Sequence, residues 1–74
     1  MKMGERLKMY LQEKGIKQSV VADRIGMNKK SFNAVLNGRA ELKADTLEAV
    51  CLFIDVPPTF FFTNQVQENG NKGA

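Results

Sequence analysis

Apolar side chains recur along this chain at helical spacing, and strand-like alternation is almost absent. Met3, Leu7, Tyr10 and Leu11 stand at i, i+4, i+7 and i+8. They predict a first amphipathic helix that ends near Lys14, where Gly15 supplies the left-handed residue that commonly stops a helix. Val21, Ala22 and Ile25 predict a short second helix from about Gln18, with Gly26 as its stop. Phe32, Val35 and Leu36 repeat at i, i+3 and i+4 on a third, which Asn28 can cap and the turn signal Asn37-Gly38 closes. For a fourth helix, Asp45 is the N-cap candidate, and Glu48 three residues later completes a capping-box-like pair. Its apolar face is Leu47, Val50, Cys51 and Ile54. Pro57-Pro58 ends it, and Pro58 fits the first turn of a short fifth helix from Thr59 to Thr63. From Asn64 onward the chain is polar and glycine-bearing with one aliphatic side chain, so a disordered tail is expected. The expected fold is all-α, a compact five-helix bundle over residues 1–63 with a tail over 64–74.

Length narrows the picture first. At 74 residues the chain supports one small domain with a marginal core, a size at which staples or a partner subunit often add stability. Cys51 is the only cysteine and histidine is absent, which excludes a disulfide framework and a Cys/His zinc site within one chain. The same inventory lacks a nucleophile–base pair, a metal cluster and a glycine-rich phosphate loop, so an enzyme is not expected, and no cofactor or small-molecule substrate either. The N-terminus is too charged for a secretory signal and no long apolar run follows, so a cytoplasmic protein without membrane contact is expected. Charge matters once it is divided. Residues 1–40 carry nine Lys/Arg against three acids, net +6, and residues 41–74 carry two against five, net −3, which together give the overall +3. The basic half suggests an anionic partner on one side.

The informative stretch runs from Gln18 to Gly38, two short helices joined by a few residues centred on Gly26. Such a tight glycine link suits helices that cross steeply, with Val21 and small Ala22 against Phe32 and Val35. With Phe32, Val35 and Leu36 inward, about 100° per residue turns Lys30, Asn33, Ala34 and Asn37 the other way. That face is polar and free of acids.

In these residues the chain resembles the lambda-repressor/Cro-like (XRE) helix-turn-helix family. The resemblance rests on Gly15-Ile-Lys-Gln18, Val21-Ala22 with Ile25-Gly26, Ser31-Phe32 and Asn37-Gly38, and continues through Thr46-Leu47, Ile54-Asp55-Val56 and Phe60-Phe61-Phe62. It covers roughly residues 4–62. It implies a lambda-repressor-like domain whose third helix, about residues 28–37, enters the major groove of double-stranded DNA. Base contacts then fall to Asn28, Lys29, Lys30 and Asn33, since lysine donates to guanine O6 and N7 and asparagine pairs with adenine N6 and N7. Gln18 and Asn37 match the family's backbone-clamping positions. Lys17, Arg39 and Lys43 are further candidates for phosphate contact, and Ser31 either touches a phosphate or bonds its own helix.

The family pattern is broken in three places. Many members pair an arginine late in helix one with a glutamate before the Asn-Gly turn, and here those positions hold Leu11 and Leu36. Two matched apolar residues preserve the fold but release one tie on the recognition helix. Ala34 stands where some relatives carry a long base-reading side chain, which limits readout there to a thymine methyl. Lys17 occupies the cap before helix two, where Ser, Thr or Asn caps better. Surplus apolar groups at Leu52, Phe53 and Phe60 suggest an exposed patch. Because the family commonly self-associates through this end, a homodimer on an inverted-repeat operator is implied. The resemblance therefore implies a transcriptional regulator of bacterial or phage type, a repressor by preference. The alternative is a protein-interaction module on the same fold, antitoxin- or antirepressor-like, acting through the aromatic C-terminal end.

Overall fold

The computed structural model describes residues 1–61; the tail expected over 64–74 lies outside them, as do Phe62 and Thr63. Among the described residues there is no strand. Four helices, α1 (Met3–Glu13), α2 (Gln18–Arg24), α3 (Lys29–Leu36) and α4 (Ala44–Ile54), are followed by residues 59–61, which open a fifth, α5. The all-α fold expected from the periodicity is the fold observed.

Each helix end has a local cause. At the close of α1 the Ile16 N–H reaches the Leu11 carbonyl at 2.8 Å and the Gly15 N–H the Gln12 carbonyl at 3.1 Å, the paired bonds of a Schellman turn. The same pair recurs after α2 and α3, where Met27 bonds Ala22 and Arg39 bonds Ala34, both at 2.8 Å. After α4 the left-handed residue is Asp55, with φ +62°, and the Val56 N–H returns to the Cys51 carbonyl. The sequence placed the stop of α4 at the prolines and overlooked Asp55, one of the few side-chain types that tolerate this conformation.

The start of α4 is also corrected. Its N-cap is Lys43, and Asp45 lies inside the first turn, so the Asp45–Glu48 pair is not a capping box. In that turn the Asp45 carboxylate sits at the positive end of the helix dipole, a contribution of about 0.3–1 kcal/mol, while the register is decided by burial of Leu47, Val50 and Cys51.

α3 packs against both α1 and α2, and α2 against α4. Leu7, Leu11, Val21, Ala22, Phe32, Leu36, Leu47, Val50, Cys51 and Phe61 form the core, with no polar or charged side chain buried among them. Leu11 and Leu36, in place of the family's ion pair, are both fully buried. Phe61 pins the start of α5 to α1 through edge-on contacts of Tyr10, Phe60 and Phe61, with ring centroids 5.1–5.7 Å apart. One close approach sets the α1–α3 distance. A Cβ on Gly4 would lie 2.1 Å from the Val35 carbonyl oxygen, so only glycine lets the two backbones come this near.

Candidate nucleic-acid interface

The turn between α2 and α3 depends on Gly26, whose φ of +73° is open to glycine at little cost. It redirects the chain within four residues, and Asn28 then caps α3. Its Oδ1 accepts from the Lys30 N–H at 2.8 Å and from the Ser31 N–H at 3.4 Å. The cap leaves the Asn28 amide nitrogen to donate outward. Phe32, Val35 and Leu36 are buried as expected, so Lys29 and Lys30 project from the first turn of α3 into solvent.

Beside that turn lies an open concavity of about 580 Å³ lined by Gln18, Ser19, Lys29, Lys30, Asn33 and Arg39. Three of its six residues are cations and none is an acid. The acid-free lining makes it an attractive seat for a polyanion. Asn33 links two other lining residues, with its Nδ2 donating to Gln18 Oε1 at 3.2 Å and its Oδ1 accepting from Arg39 Nη2 at 3.2 Å. Asn37, one turn on, donates to Asn33 Oδ1 at 3.0 Å.

The remaining expected contacts fall elsewhere. Ser31, Ala34 and Lys43 line a second depression on the opposite flank of α3, where Glu41 and Asp45 accompany Lys43. Lys17 is exposed at the N-cap of α2 and makes no side-chain capping bond, as its chemistry requires. The α3 ridge thus separates a flank whose only charged side chains are cations from one of mixed charge.

The family model of the Cro/C1-type helix-turn-helix DNA-binding domain matches residues 6–59. The chain belongs to this family. No curated protein and no solved structure matches it. In this Cro/C1-type domain the helix-turn-helix is therefore α2 and α3, a DNA-binding unit of the kind used by transcription regulators.

Some features of the candidate site in this Cro/C1-type domain escaped the sequence. The tie released by Leu11 and Leu36 is replaced: Lys8 Nζ on α1 donates to Asn37 Oδ1 at 2.6 Å, and Lys2 Nζ donates to the Gly38 carbonyl at 2.8 Å. Both lysines hold the C-terminal end of α3 against α1. A lysine at i+1 from buried Leu7 reads as an ordinary solvated residue, so nothing in the spacing marked Lys8. Ser19 likewise carried no signal.

The three residues expected at a dimer interface do not share one depression. Leu52 is 79% exposed beside Glu48, Asp55, Pro57 and Pro58. Phe60 is 45% exposed and lines a groove with Met1, Met9 and Tyr10. Phe53 is half-buried against the core, its ring 5.3 Å from the Arg24 guanidinium. Among the described residues, no helix is long and apolar enough to cross a membrane, and no group of three or more acidic, histidine or cysteine side chains is placed to hold a metal ion.

Proposed function

We propose that this protein is a sequence-specific transcriptional repressor that works in the cytoplasm as a homodimer and inserts α3 into the major groove of an inverted-repeat operator. The observation that carries the reading is the acid-free concavity that Lys29, Lys30 and Arg39 line along one flank of a capped, eight-residue helix. An α-helix with its side chains is about 10–12 Å across, which a major groove about 12 Å wide admits. Lys29 and Lys30 donate to guanine O6 and N7, and Asn28 offers its free amide N–H groups to a neighbouring acceptor. Gln18, Lys17, Ser31, Arg39 and Lys43 contact phosphates on the two flanks, which fixes orientation without reading sequence. A two-fold dimer sets its two α3 helices one helical turn apart, about 34 Å, and represses by occluding a promoter, with no catalytic step and no cofactor.

A second reading is favoured by one observation, the exposure of Leu52 and Phe60. In it the same fold is an antitoxin- or antirepressor-like module whose main contact is a protein held by the C-terminal end.

Fluorescence anisotropy with the duplex upstream of the protein's own gene, beside a scrambled duplex and at several salt concentrations, separates the two. The repressor reading predicts a clear preference for the native duplex, a steep salt slope, and loss of the preference in Lys29→Ala/Lys30→Ala. Equal, weak binding of both duplexes, unaffected by that double substitution, refutes it in favour of a protein partner.

A further inference from the structure

The polar side chains beside α3 form one connected network. Lys8 Nζ donates to Asn37 Oδ1, and Asn37 Nδ2 donates to both the Asn33 carbonyl, at 2.9 Å, and Asn33 Oδ1, at 3.0 Å. Arg39 Nη2 donates to the same Oδ1, and Asn33 Nδ2 donates to Gln18 Oε1. An amide oxygen accepts two hydrogen bonds and an amide nitrogen donates two. By that count Asn33 Oδ1 is full, and Asn37 has given both of its amide hydrogens. Pairing with adenine requires Asn33 Oδ1 to accept from N6 while Nδ2 donates to N7, which displaces at least one of the donors already seated there. The ends of the network are different. Lys8 Nζ and Gln18 Nε2 keep unspent N–H groups, and so does the rest of the Arg39 fork.

We infer that Asn33 is a positioning residue and not a base reader. It holds Gln18 and Arg39 in fixed poses across the concavity, and Asn37 extends the same hold to Lys8 on α1. Lys8, Gln18 and Arg39 then grip the sugar-phosphate backbone as one pre-ordered unit, losing less rotamer freedom on contact than three independent side chains would. The inference rests on the DNA-binding reading above, gives Asn33 and Asn37 a scaffold role and adds Lys8 to the phosphate contacts.

Asn33→Ala tests it with two readouts. In the free protein, the side-chain N–H signals of Asn37, Gln18 and Arg39 shift in a proton–nitrogen correlation spectrum; unchanged signals overturn the network without reference to DNA. On DNA, affinity is measured for a preferred duplex and for its single-base-pair variants over a range of salt. Positioning predicts the same fold-loss on every duplex and a slope of log affinity against log salt shallower by about 1. A loss of about 5- to 150-fold confined to one base pair, with the slope kept, identifies a base reader and overturns the proposal. Adding Arg39→Ala to Asn33→Ala produces little further loss if the two act together, whereas multiplying losses contradict it. If Asn33→Ala melts below the assay temperature, Lys8→Ala at the other end of the network carries the same test, with a uniform loss again expected. A wild type that prefers no duplex refutes the DNA reading and the gripping role together, while the amide signals still judge the network.

Discussion

Gly4→Ala is a severe test of how α3 is held. The added methyl would meet the Val35 carbonyl oxygen at 2.1 Å and its carbonyl carbon at 3.0 Å. Carbon–oxygen contacts rarely close below about 3.3 Å, so one backbone must retreat by roughly 1 Å. The clashing atoms belong to α3 itself and cannot swing aside as a flexible side chain does. Overpacking of this kind costs about 1–3 kcal/mol. Alanine recovers at most about 1 kcal/mol of helix propensity over glycine, and less in a first turn. The net expectation is a destabilisation of about 1–2 kcal/mol. In a domain of this size each kcal/mol lowers Tm by roughly 4–8 °C, so the variant melts about 5–15 °C below wild type. Thermal melts and urea titrations followed by circular dichroism measure both quantities. Because α1 carries Lys8, the shift also stretches its hydrogen bond to Asn37. An unchanged or raised Tm refutes the close approach and, with it, this account of how α1 fixes α3.

Three further outcomes follow from single residues. Asn28→Ala removes the acceptor for the Lys30 and Ser31 N–H groups and costs about 1 kcal/mol, visible as a lower urea midpoint. Asp55→Gly relieves a left-handed backbone that disfavours most L-residues by about 1–2 kcal/mol, against an entropy penalty of about 0.5–1 kcal/mol for glycine. A net gain of up to about 1 kcal/mol in the same titration is expected, and a loss contradicts it. Burial pushes the Cys51 thiol up from its ordinary value, so the unfolded chain ionises first as pH rises. Stability attributable to this group is therefore intact below about pH 8.5 and declines from there toward the raised folded value. The extra alkaline loss of wild type relative to Cys51→Ala measures it, and parallel curves refute it.

Much of the fold was legible because each of the four helices carries its own period and the first three end at a left-handed glycine, Gly15, Gly26 and Gly38. Phe32, Val35 and Leu36 fix the inward face of α3 from spacing alone, and Asn28 announces its start. What failed was the reading of ends by residue type. Asp45 and Glu48 look like a capping box, but burial of Leu47, Val50 and Cys51 outweighs a cap and starts α4 earlier. Asp55 hides a left-handed stop because aspartate does this less often than glycine. The basic lining of the concavity was visible as charge. Its wiring was not, because Lys8 and Asn37 are 29 positions apart and meet only after α1 crosses α3. Gly4 escaped for the same reason, as its partner is a backbone atom on another helix.

The central claim, that the first turn of α3 reads bases, is tested most directly by selecting duplexes from a random library with wild type and with Lys29→Ala/Lys30→Ala. The account predicts that wild type enriches an inverted repeat with half-sites about 10 base pairs apart, and that the double variant loses the preference for guanine within each half-site. No enriched motif, or the same motif returned by both proteins, would contradict it.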